Sequence, residues 1–148
     1  MQVSEIKLSY NRLQLSSGKL TDSRQIHNFI REYLNLTKED ISLQEKFYAI
    51  FLDVGMNVIG VTKLAECGID AVLVDARLLY VTALNTGAKN VIISHNHPSG
   101  NMKPSDADRT ITTKMEQGLK TLDIKLLDHI ILSSTEHDYY SFLDNGLI

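Results

Sequence analysis

Lys89-Asn-Val-Ile-Ile-Ser-His95-Asn-His97-Pro-Ser-Gly100, continued through Asn-Met-Lys-Pro to Ser105-Asp-Ala-Asp108, is the stretch on which the fold turns. Lys89 to Ser94 is short, apolar and β-branched, and reads as a buried strand. Side chains alternate with period two along an extended chain, so His95 and His97 share a face at the C-terminal end of that strand. Pro98, Ser99, Gly100, Asn101 and Pro104 then reverse the chain and deliver Ser105 and Asp108 to the start of a helix. Ile111, Met115 and Leu119 recur along it at helical spacing.

Two imidazoles and one carboxylate are the donors of a catalytic zinc that keeps its fourth position open for water. The same donors also suit iron, nickel or cobalt. A histidine pair alone is a weak signal, and Ser105-x-x-Asp108 also fits a capping box. The cap explains Ser105 and Asp108 but leaves the two histidines unexplained. The two roles are compatible, because one capping hydrogen bond does not occupy every lone pair of a carboxylate.

Outward from this stretch, strands and helices alternate as in an α/β domain. Met1 to Leu15 alternates weakly (Val3, Ile6, Leu8) and is expected to be an arm or edge strand. Thr21, Asp22 and Ser23 offer N-caps for a helix carrying Ile26, Phe29, Ile30, Tyr33 and Leu34. The apolar run Phe47 to Val54 predicts a central strand, and Gly55-Met-Asn57 a hairpin into Val58 to Leu64. Asp75 to Asn85 predicts a helix with Leu78, Leu79, Thr82 and Ala83 inward and Gly87 as its stop. Two further strands are expected near Ile124 to Leu127 and His129 to Ser133, then a short element from Tyr139 to Leu143. With no repeat, linker or low-complexity tract, residues 1–148 are expected to form a single domain, with 1–20 as the arm and 21–148 as the core.

Composition narrows the partners. The net charge is −3 over 148 residues, which argues against general binding to phosphate backbones. Lys7, Arg12 and Lys19 form at most a small solvated basic patch. No apolar stretch reaches the length of a membrane span, and the N-terminus lacks the apolar core of a signal peptide. Cys67 is the sole cysteine, which rules out an intrachain disulfide and any cysteine-rich zinc site and fits a cytoplasmic setting; the residue itself reads as small and partly buried. Lys46, His27 and His137 read as surface residues, Asp106 as pointing away from Asp108, and Arg77 as either a surface ion pair or a partner for a substrate carboxylate. His129 opens an apolar run and should face inward, as a satisfied core histidine or as a neighbour of the site.

His95-x-His97-Pro98-Ser99-Gly100 followed by Ser105-x-x-Asp108 resembles the JAMM (JAB1/MPN) metal motif, in the wording of its RadC branch. Glu45-Lys-Phe-Tyr-Ala-Ile-Phe-Leu-Asp53, Val74-Asp-Ala-Arg77, Asp128-His-Ile-Ile131 and Tyr139-Tyr-Ser141 extend the resemblance from about Thr21 onward. It implies a JAB1/MPN-like (cytidine-deaminase-like) α/β domain: a mixed β-sheet flanked by helices. It also implies a zinc ion (Zn2+) held by His95, His97 and Asp108, with water completing the tetrahedron. By the same resemblance Glu45 is the general base and Ser105 steadies the oxyanion. Pattern alone does not single Glu45 out among seven glutamates.

The expected activity is therefore hydrolysis of peptide or isopeptide bonds in a protein or peptide substrate. A zinc nucleobase deaminase is excluded, because it needs a glutamate two residues after the histidine and a Pro-Cys-x-x-Cys segment. Two alternatives stand beside the hydrolase: a DNA-repair-associated accessory module and a non-catalytic metal-binding scaffold. Longer RadC proteins carry an N-terminal helix-hairpin-helix region that Met1 to Leu20 is not expected to form, which weighs against direct contact with nucleic acid. An edge strand near the N-terminus would let two copies pair as a homo-oligomer.

Overall fold

The computed structural model describes residues 9–15, 18–67, 74–135 and 137–148. Within them run α1 (Ser23–Thr37), β1 (Glu45–Leu52), β2 (Val58–Cys67), α2 (Ala76–Thr86), β3 (Asn90–Asn96), α3 (Asp106–Lys120), β4 (Lys125–Leu132) and β5 (Tyr139–Ser141). The strands form one sheet in the order β2-β1-β3-β4-β5. All neighbours are antiparallel except β3 and β4, whose parallel pairing requires the crossover that α3 supplies. The protein is a mixed α/β fold with helices on both faces of its sheet.

Alternation along β1 sorts the core into two layers. Phe47, Ala49 and Phe51 join Val91, Ile93, Met115 and Leu119 on the face covered by α2 and α3. Tyr48, Ile50 and Leu52 join Ile92, Ile130 and Leu132 beneath Ile26, Phe29, Ile30 and Leu34 of α1. A strand buried on both faces reads as a continuous apolar run, which is why β1 and β3 were legible. Each fully buried large apolar side chain contributes roughly 1.5–3 kcal/mol. The expected punctuation is in place. Asp22 accepts from the Gln25 amide at the start of α1, and Gly87 ends α2 at φ 66°. Asp53 accepts from the amides of Gly55 and Asn57 across the β1–β2 hairpin.

Several expectations are corrected. β4 is one strand rather than two, because Asp128 is fully buried and paired instead of breaking the chain. It accepts from Ser141 Oγ (2.6 Å) and from the amides of His129 (2.7 Å) and Leu143 (3.0 Å), while a register shift absorbs Leu127. Burial pushes the Asp128 carboxyl up, against those three donors. Leu78 is exposed, since only Leu79 and Ala83 of the expected set reach the core. Lys46 is buried, its ammonium held by Glu39 Oε2 (2.5 Å) and Glu66 Oε1 (3.4 Å). His27 is buried too, stacked on Tyr139 at 4.7 Å, and burial lowers its pKa. Residues 9–15 form no strand. The expected strand positions Val3, Ile6 and Leu8, like the side chain of Cys67, lie outside the described residues.

Candidate metal centre

Sheet register builds the site from three elements. Phe47 lies opposite His95, with the two rings stacked at 5.5 Å. Glu45 precedes Phe47 by two residues, so it shares that face and projects towards the end of β3. The first turn of α3 brings Asp108 over the same strand end.

His95 Nε2 is 2.9 Å from His97 Nε2 and 3.1 Å from Asp108 Oδ1, and His97 Nε2 is 3.5 Å from Asp108 Oδ2. Glu45 Oε1 lies 3.8 Å from His95 Nε2. One donor atom from each of the four residues falls within 4.8 Å of all the others. Zinc–ligand bonds of about 2.0–2.1 Å would set tetrahedral edges of roughly 3.3 Å, close to the three shorter separations. The donor chemistry fits as well. His97 Nδ1 donates to the Asn101 carbonyl at 2.5 Å, which leaves Nε2 of the neutral ring with its lone pair aimed at the cluster. Two ring nitrogens 2.9 Å apart repel unless a proton or a metal cation lies between them. The four residues therefore form a group suited to hold a metal ion.

Charge is distributed in keeping with that. Burial alone would raise the Asp108 carboxyl, but the imidazoles of His95 and His97 and the Ser105 hydroxyl beside it hold it far below the usual carboxylate range. The Asp108 carboxylate beside it raises His97 against the opposing effect of burial. Burial raises Glu45, with the two histidines pulling the other way. A half-buried carboxyl shifted upward is the environment a general base near neutral pH requires.

Ser105 forms the N-cap that its spacing offered. Its amide and hydroxyl each donate to Asp108 Oδ2 at 2.7 Å, and the Asp108 amide returns a bond to Ser105 Oγ at 3.1 Å. That is a complete capping box. It also aims the Asp108 carboxylate at the histidines and commits the Ser105 hydroxyl proton to Asp108. His137 and Asp106 are exposed, and Arg77 pairs with Asp75 at 2.7 Å.

Two residues that support the cluster, Asn96 and Thr112, were not picked out from the sequence, and a third, His129, was read as either a core histidine or a neighbour of the site. Asn96, between the histidines but on the opposite face, is fully buried. It donates to the carbonyls of Ile41 and Gln44 and accepts from the Lys46 amide, each at 2.8 Å, clasping both flanks of Glu45. The signal was there: a polar side chain on the inward face of a buried strand. Thr112, one turn after Asp108, and His129 are buried behind His95. His129 does face inward, with Nε2 2.7 Å from His95 Nδ1 and its ring between Phe47 and Phe142. Burial, with the nearby His95, lowers its pKa well below the ordinary imidazole value.

A family model for the RadC-like JAB domain matches residues 20–147. A UPF0758 protein of Flavobacterium johnsoniae is 43% identical over 103 residues, covering 70% of this chain and 44% of the relative. UPF0758 proteins of Fusobacterium nucleatum and Thermotoga maritima are 36% and 34% identical over 146 and 140 residues. Those alignments cover 91% and 95% of this chain, and 59% and 60% of the relatives. The chain thus spans about half the length of the curated relatives it matches.

Proposed function

The chain belongs to the RadC-like JAB domain family, and on that footing we propose that it is a zinc-dependent hydrolase of peptide or isopeptide bonds. The observation that carries this reading is the convergence of Glu45, His95, His97 and Asp108 on one small volume. His95 Nε2, His97 Nε2 and Asp108 would hold the metal, and Glu45 on the adjacent strand stays free for proton transfer. A zinc ion bound there supplies Lewis acidity, polarising an amide carbonyl and lowering the pKa of a water towards roughly 7.

Glu45 takes the proton of the attacking water on a carboxylate oxygen. It then gives that proton to the amine nitrogen as the carbon–nitrogen bond breaks, which returns Glu45 to its starting state. Asn96 holds Glu45 in place by fixing the backbone on either side of it. Ser105 serves the developing oxyanion by turning its hydroxyl away from Asp108 Oδ2. The Ser105 amide keeps its own bond to that oxygen throughout.

The test is a fluorescence-quenched peptide library, supplemented with lysine isopeptides, presented to the zinc-loaded chain and to Glu45→Gln. Loss of a general base commonly costs about 10²–10⁴-fold in rate. Cleavage that drops by that factor while the variant keeps its metal supports the assignment. Cleavage indifferent to Glu45→Gln contradicts it.

A further inference from the structure

Behind His95, and away from the metal donors, lies a short polar chain in an otherwise apolar setting. Thr112 Oγ1 sits 2.5 Å from the Asp108 carbonyl and 2.6 Å from His129 Nδ1. His129 Nε2 sits 2.7 Å from His95 Nδ1. Thr112, His129 and His95 are all buried, and the His129 ring packs against Phe47 and Phe142.

Proton counting along this chain has one solution. A carbonyl oxygen only accepts, so the single hydroxyl proton of Thr112 goes to Asp108. Thr112 Oγ1 must then accept from His129, which places a proton on His129 Nδ1. Among the described residues no carboxylate pairs with the His129 ring to balance a second proton, so its Nε2 carries a lone pair and accepts from His95 Nδ1–H. With Nδ1 so engaged, His95 has Nε2, the atom that faces His97 and Asp108, as the ring nitrogen that would bind a metal. The other ligand histidine obtains the same tautomer from the Asn101 carbonyl. His95 has no carbonyl in that place and uses a second histidine, itself oriented by a threonine.

We propose that Thr112 and His129 are positioning residues that fix His95 in its Nδ1–H tautomer and thereby set the affinity of the site for metal. The inference rests on the metal-site reading above. The relay starts from the backbone carbonyl of Asp108, so one residue supplies both a carboxylate to the cluster and the anchor for its neighbour's tautomer.

Two measurements on the full chain test this. The first is side-chain 15N NMR of the metal-free protein, with no variant needed. A proton on Nδ1 of both His95 and His129 and a bare His129 Nε2 are expected, and a His95 Nδ1 without a proton overturns the proposal. The second is zinc affinity by chelator competition for Thr112→Val, which keeps shape but not the hydroxyl, against Thr112→Ser, which keeps the hydroxyl. Partners that orient a ligand commonly change metal affinity roughly 10–100-fold. Thr112→Val should weaken zinc by that factor, with His95 partly in the other tautomer, and Thr112→Ser should restore both. A merely structural role lowers the melting temperature in Thr112→Val and leaves affinity and tautomer alone, which overturns the proposal. An unmutated chain that takes up no zinc sinks the metal reading instead, and the nitrogen shifts then decide the relay alone.

Discussion

Asn96 stands between two histidines in the sequence and on the opposite face of the sheet in space, and the site depends on that opposition. Its amide satisfies two carbonyls and one N–H in a buried setting. Removing one partner from buried polar groups costs about 1–3 kcal/mol each. Asn96→Ala is therefore expected to lower unfolding free energy by about 3 kcal/mol or more in urea titrations. Catalysis should fall with it as Glu45 loses its frame. Glu45→Gln is expected to do the reverse: little change in urea midpoint, intact metal content and a rate lower by about 10²–10⁴-fold. His95, His97 and Asp108 were readable because a short stretch of chain carries them all. Glu45 lies fifty residues upstream of His95 and is brought to it by the β1–β3 register, a long-range pairing that no local pattern encodes. Thr112 was visible in principle, on the helical repeat Asp108, Thr112, Met115, Leu119 that forms the buried face of α3.

At the element scale, α2 and α3 approach closely at Gly118. A Cβ built on Gly118 would lie 2.2 Å from the Tyr80 hydroxyl oxygen, whose proton goes to the Lys114 carbonyl. Glycine to alanine inside a helix ordinarily stabilises by about 1 kcal/mol. Here overpacking should reverse the sign, and Gly118→Ala is expected to destabilise by about 1–3 kcal/mol in urea titrations. In a Tyr80→Ala background the same change should recover the ordinary gain. At the edge of the sheet, Glu39 bridges the buried Lys46 to Lys63. Hydrogen bonds from Lys46 and then Lys63 lower the Glu39 pKa. Its folded value thus lies below its unfolded one, near 4.3, so its contribution is complete above that pH and is lost as pH falls through the folded value. Glu39→Gln should cost roughly 1–2 kcal/mol at pH 7, between a solvated pair and a buried one, and the gap to the parent should close in acid. Helix ends were legible because Asp22, Asp75, Gly87 and Ser105 each carry a local cap. Asp128 and Lys46 misled for the opposite reason. Each is a charged residue made compatible with burial by partners from distant segments.

At the scale of the whole molecule, the cluster joins β1, β3 and α3, so a metal bound there would tie the hairpin to the crossover. A ligand that binds only the folded state stabilises by about 4 kcal/mol at a thousand times its dissociation constant. For a domain of this size that is a rise of roughly 8–16 °C in Tm. Zinc should produce it in thermal scans, and a chelator should reverse it. The most direct test is the metal content per chain, by mass spectrometry of protein purified without chelators or nickel resin, beside Asp108→Ala shown to be folded by circular dichroism. One zinc per parent chain and almost none in the variant is the expected result. A parent that stays metal-free after zinc is added, or a variant that binds as well as the parent, would contradict the assignment of His95, His97 and Asp108 as a metal centre.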